Sequence, residues 1–197
     1  MKTAEIMHLG DSEELRNLIK ELRGKGREYN LDNIIPFSAR EIAAAEWVNL
    51  KCRYGCSQYG KSWCCPPATP GLKESRRILS EYSKALLLIG TQKCPEFYQN
   101  NRRKRAQRVR YWKGIVSLER VLFLNGYYKA FSLVGVTCSL CSTCAYPEPC
   151  LFPQEKRPTV ESFSIDMIRT LKNLGMASRV ANDRRDTYHC YSIILLQ

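Results

Sequence analysis

Histidine is nearly missing from this chain: His8 and His189 are the only two among 197 residues. Neither lies at a ligand-like spacing from another donor. His189 adjoins Cys190 on a segment that reads as a strand, where alternation sends neighbouring side chains to opposite faces. A structural role is expected for both, and no serine–histidine–acid arrangement can be traced. Long apolar runs are missing too. Ala85 to Ile89 and Ile193 to Leu196 are the longest, far below the ~20 residues of a membrane helix. Met1-Lys2-Thr3-Ala4-Glu5-Ile6-Met7-His8 lacks the apolar stretch of a secretory signal. A cytoplasmic protein with no membrane attachment is the expectation. No glycine-rich phosphate loop follows a strand, and Glu161 and Asp166 do not share a helical face, so a paired-carboxylate site is not indicated. Acids are scarce, 19 Asp and Glu against 31 Lys and Arg, for a formal net charge of +12. Acidic partners follow: an electron carrier of flavodoxin or ferredoxin type, the acidic face of another protein, or nucleic acid.

Cysteine is what the chain has in excess, ten residues in two groups with Cys94 and Cys190 apart. In a reducing compartment such clusters bind metal rather than form disulfides. Gly135-Val136-Thr137 leads into Cys138-x2-Cys141-x2-Cys144-x5-Cys150, with Pro149 before the last thiol. Bacterial ferredoxins hold a 4Fe-4S cubane with a similar C-x2-C-x2-C run and a further cysteine beside proline. Cysteine at every third position of a tight loop turns its thiols toward one centre. Thiolate is the soft ligand that iron and sulfide require. Each cubane with four thiolates would carry about −2, so two would leave the chain basic, at roughly +8.

The other group is Cys52-x3-Cys56-x7-Cys64-Cys65-Pro66-Pro67. Gly55 and Gly60 give this loop backbone freedom, and the prolines stiffen its exit. Cys52, Cys56 and Cys65 are the well-spaced thiols of a second centre, although Cys65, followed by proline, could serve either one. Cys64 and Cys94 are possible further ligands. Cys64 has difficulty reaching the same point as Cys65, because successive side chains diverge in extended backbone. Were no fourth thiol to bind, one iron would be open to substrate, as in metal centres that do chemistry. The spacing does not match the C-x3-C-x2-C loop of radical S-adenosylmethionine enzymes. Structural zinc, which accepts four thiolates at varied spacings, is the alternative to iron–sulfur. Small buried side chains without metal are the plain alternative.

Asp11 with Glu14 caps a helix whose stripe is Leu15, Leu18, Ile19 and Leu22, stopped by Gly24 and Gly26. Ser38 and Glu41 repeat that pattern for a short helix through Ala45, and Trp47 to Lys51 reads as a strand delivering Cys52. Thr69-Pro70 opens a helix that buries Leu72, Ser75, Ile78, Leu79 and Tyr82. Lys84 to Gly90 reads as a central strand, and about Tyr98 to Leu124 as a long helix closed at Asn125-Gly126. Tyr128 to Val134 is a strand, Val160 to Leu174 a helix closed by Gly175, and Tyr188 to Leu196 a last strand. The expected fold is α+β or α/β: a mixed sheet, flanking helices and two cysteine-rich metal-binding loops. Residues 1–46 form an N-terminal helical segment packed as one unit with a cysteine-rich domain, 47–197.

The long helix carries Arg102, Arg103, Lys104, Arg105, Arg108, Arg110 and Lys113, charges that wrap most of its circumference and should be largely solvated. Tyr98, Tyr111 and Trp112 lie nearby. Beside plain solvation, this segment suits docking of an acidic redox partner, or phosphate contacts and base stacking.

Three stretches resemble a family of predicted metal-binding proteins found mainly in anaerobic bacteria and archaea. They are Cys52 and Cys56 with Tyr59-Gly60-Lys61 and Cys65-Pro66-Pro67; Gly126-Tyr127-Tyr128-Lys129-Ala130-Phe131 running into Gly135 and Cys138, Cys141, Cys144-Ala145; and Pro149-Cys150 with Arg157-Pro158-Thr159-Val160-Glu161 and Ile165-Asp166-Met167. The resemblance runs from about Trp47 onward and implies a metal, with an iron–sulfur cluster as its form. It does not extend to Cys64 or Cys94. The expected function is low-potential electron transfer with an acidic partner through one or two 4Fe-4S clusters. The alternatives are an iron–sulfur enzyme with an open iron at Cys52, Cys56 and Cys65, and a zinc-stabilised nucleic-acid-binding module.

Overall fold

The run Ala85 to Ile89 lies inside a four-stranded sheet in the computed structural model, which describes residues 13–93, 102–177 and 187–197. Strands β1 (Leu31–Ser38), β2 (Lys84–Lys93), β3 (Phe131–Leu133) and β4 (Thr187–Leu195) stand in the order β1-β2-β4-β3. Every ladder is antiparallel. The α-helices among the described residues are α1 (Glu13–Gly26), α2 (Glu46–Gly55), α3 (Leu72–Leu79), α4 (Arg102–Leu124) and α5 (Met167–Asn173). The chain is thus one α+β domain. Its sheet is antiparallel rather than mixed, and among the described residues parallel pairing is confined to the isolated Val134–Thr159 bridge. No described helix is long and apolar enough to cross a membrane.

Both faces of the sheet are covered. Leu86, Leu88 and Ile194 join a core with Leu15, Leu18 and Leu22 of α1 and Trp112, Ile115 and Leu118 of α4. Leu87, Ile89, Ile193 and Leu195 alternate to the other face, against Leu79, Phe163, Leu171 and Leu174. Burial on both sides explains why β2 is apolar without alternation. Each large aliphatic side chain so buried contributes ~2 kcal/mol.

Local structure departs from the pattern reading in instructive ways. Trp47 to Lys51 is helical, not a strand: α2 buries Val48 and half-buries Cys52 on one face while Trp47, Leu50 and Tyr54 stay exposed. An i,i+4 pair shares a helical face, so the spacing of Cys52 and Cys56 was itself a helical signal. Strand β1 escapes the pattern because Asp32, Asn33 and Pro36 break its alternation and its register shifts between Leu31 and Asn33. As an edge strand it tolerates proline. Ser38 caps only a 3₁₀ turn, Ala39–Glu41, accepting from the Arg40 amide at 3.4 Å. Gly71, not Thr69, precedes α3, and the Thr69 hydroxyl donates to the Ser162 carbonyl at 3.0 Å.

The helix expected over 160–174 is split into a 3₁₀ turn, Glu161–Phe163, and α5. Ser164 turns left-handed at φ 62°, and Asp166 restarts the helix by accepting from the Arg169 amide at 2.9 Å. Helix α4 closes as expected, with Gly126 at φ 92° and the Tyr127 amide returning to the Leu122 carbonyl at 3.1 Å. Asp11, Cys94 and Tyr98 lie outside the described residues.

Candidate metal centre

Helix α2 presents Cys52 and, at its end, Cys56. From there the chain turns at Gly60, whose φ of 69° suits glycine and whose amide donates to the Pro66 carbonyl at 2.9 Å. Trp63 ties this loop to the four-cysteine loop. Its Nε1 donates to the Glu148 carbonyl at 2.8 Å, its ring meets Tyr146 edge-on at 5.0 Å, and the Lys156 ammonium lies 4.9 Å from its centre. The four-cysteine loop leaves the sheet pressed against β4. A Cβ on Gly135 would stand 2.1 Å from the Tyr191 carbonyl oxygen. The Gly135 amide donates to the Ser192 hydroxyl at 2.8 Å.

Helix α4 holds the same loop from the side. Arg105 donates through Nε to the Ser139 carbonyl at 3.1 Å and through Nη2 to the Leu140 carbonyl at 2.9 Å. Arg108 donates through Nε to the Ser139 hydroxyl at 2.9 Å. The basic run is therefore not a uniformly solvated surface. Lys104 is buried, whereas Arg110 and Lys113 are exposed. Tyr111 and Trp112 belong to the core, so neither ring offers a stacking surface.

The thiols gather about two adjoining cavities. Cys138, Cys141, Cys144 and Cys150 line one of about 490 Å³, together with Cys56, Cys64 and the basic Lys61, Arg105, Arg108 and Lys156. Cys52, Cys56, Cys65 and Cys190 line the other, of about 610 Å³. Cys64 and Cys65 thus face different cavities. Cys64, a possible ligand of the second centre by sequence, turns to the four-cysteine side, where its thiol donates to Cys138. Cys190 arrives from β4 and had no sequence signal beyond being a cysteine. His189 points elsewhere, with Nδ1 2.9 Å from the Thr91 hydroxyl. Among the described residues, no three Cys, His, Asp or Glu side chains converge on one point as a single ion requires. The thiols ring spaces instead.

The hydrogen bond from Cys64 brings the Cys138 thiol down to about 7 and pushes Cys64 strongly up. Burial, then Cys138, Cys144 and Cys150 nearby, raises Cys141. Cys150 Sγ accepts from the Phe152 amide at 3.4 Å, the kind of bond that tunes a cluster's sulfurs. On the other side, burial followed by neighbouring Cys56 and Cys52 pushes Cys65 up to about 12. Burial also raises Cys52, with Cys56 and Glu161 adding to it. Glu161 is open to solvent along the larger cavity, yet protein surrounds it closely enough that desolvation raises its carboxyl pKa. Soft donors beside positive charge fit a metal group that carries net negative charge.

Two thiol-lined cavities on an α+β scaffold define a cysteine-rich metal-binding protein. The chain belongs to the family of predicted metal-binding proteins DUF2284, which it matches over residues 36–196. That match covers both cysteine groups and begins within β1, upstream of the stretches quoted above. No curated protein and no solved structure matches the chain.

Proposed function

We propose that this chain is an iron–sulfur protein that passes electrons at low potential to or from an acidic partner. What carries the reading is that two cysteine groups far apart in sequence meet around adjoining cavities, with Cys56 lining both. Cys138, Cys141, Cys144 and Cys150 would hold a 4Fe-4S cubane, and Cys52, Cys56 and Cys65 would contribute to a second centre. Such clusters supply reversible one-electron carriers when bound. Thiols around a wide space suit a cluster better than zinc, whose four sulfurs lie ~2.3 Å from one point. Lys61, Arg105, Arg108 and Lys156 favour the added negative charge. Anaerobic purification with iron and acid-labile sulfide analysis tests this, along with electron paramagnetic resonance of the dithionite-reduced protein. Stoichiometric zinc without sulfide would end it.

A second reading places an open iron at the Cys52/Cys56/Cys65 side. It is favoured by the larger cavity there, which leaves room for a small molecule. Cys190, which lines that cavity, and Cys94 are the thiols to test. Cys190→Ser and Cys94→Ser each retain both clusters if the iron is open, and one of the two variants loses a cluster if its thiol is the fourth ligand. The zinc-stabilised nucleic-acid module draws less support, because Tyr111 and Trp112 lie in the core.

A further inference from the structure

The larger cavity, about 610 Å³, has the dimensions of a small-molecule site. Its apolar walls include Trp47, Val136, Ile165 and Ile168. Lys104, in the first turn of α4, lines it although only 6% exposed, and Arg108, one turn further on, lines it too. We infer that this cavity binds a small organic carboxylate with an apolar body, the body against those walls and the carboxylate toward Lys104 and Arg108, beside Cys52, Cys56 and Cys65. An anion meeting a buried ammonium is attracted more strongly than in water, because little solvent screens the pair.

The cavity also holds two carboxyl groups, outnumbered by the cations Lys51, Lys104 and Arg108. Asp166 accepts from the Trp47 indole at 3.1 Å and from the Arg169 amide at 2.9 Å, which satisfies its oxygens more than it turns them away from open cavity space. Glu161 stands on the Cys52 side and is hydrogen-bonded to Thr159. The inference extends the open-iron reading by naming its substrate class, yet binding itself needs only the cavity.

The test titrates phenylacetate calorimetrically into the full chain as purified anaerobically, with iron, sulfide and zinc measured on the same sample. 2-Phenylethanol, the same body without the charge, is the control. Phenylacetate is expected to bind at least tenfold tighter than the alcohol, and Lys104→Met to bring the two within about twofold. Ile168→Asp, at a residue 53% exposed and therefore safe for folding, should also weaken phenylacetate at least tenfold. Equal binding of acid and alcohol, binding of neither, or affinity unchanged by both substitutions would overturn the inference. A zinc-only protein that still selects phenylacetate keeps the inference and removes the iron–sulfur reading. A two-cluster protein that ignores phenylacetate does the reverse.

Discussion

Gly135 marks where the chain leaves the sheet for the four-cysteine loop, and backbone rather than a side chain blocks any larger residue there. In Gly135→Ala the new Cβ would meet the Tyr191 carbonyl oxygen at 2.1 Å, and β4 cannot yield without loss of its ladder. A destabilisation of ~3 kcal/mol or more is expected, read as a lower urea midpoint, with impaired metal content. The thiols make a second prediction at this scale. In the metal-free, reduced chain Cys65 titrates at about 12 when folded against an ordinary 9.0, and Cys52 is raised as well. Between those values the unfolded chain has released a proton that the folded chain keeps, so stability falls as pH climbs above 9. Cys138, lowered to about 7, has the opposite effect, but only below 9. Metal requires thiolates, so a loaded protein should not show the fall. Urea midpoints at pH 8 and pH 10, metal-free and loaded, check both halves.

Among the elements, α4 has the largest unexpected role. Arg105 grips two successive carbonyls of the cysteine loop with a planar fork that lysine cannot reproduce. Arg105→Lys should leave thermal stability nearly unchanged while speeding metal loss to a chelator severalfold, followed by absorbance. This docking was not legible beforehand, because a run of charges records composition and not which carbonyls will face it. The stripe Leu15, Leu18, Ile19, Leu22 was legible, since a helix between solvent and core writes its burial at 3.6-residue spacing. So was β2, and so was the grouping of Cys138, Cys141, Cys144 and Cys150 about one cavity, because both signals are local. Helix α2 was misread because its exposed face holds Trp47, Leu50 and Tyr54, and apolar side chains on both faces mask the period. The turn of Cys64 toward Cys138 and the arrival of Cys190 depend on pairings across the fold, which no local pattern encodes.

For the whole molecule, the net charge of +12 sets how it meets others. Attraction between a basic protein and an acidic carrier is long-range and fades as the screening length falls from ~10 Å at 0.1 M salt to ~3 Å at 1 M. If the chain exchanges electrons with an acidic carrier as proposed, the rate is expected to drop at least tenfold over that range, measured by stopped flow. A rate indifferent to salt would place the encounter on an uncharged surface.

The adjacency of Cys64 and Cys65 reaches further than the choice of ligands. Their side chains address different cavities from Cα atoms ~3.8 Å apart. Immobilising one therefore removes most of the freedom of the other. If both cavities take metal as proposed, whichever fills first bears the ordering of the shared segment, and the second fills a site already arranged. Loading should accordingly be cooperative. Native mass spectrometry during reconstitution would then show mainly empty and fully loaded chains, with singly loaded ones well below a statistical share. A statistical distribution would mean that the two centres assemble independently.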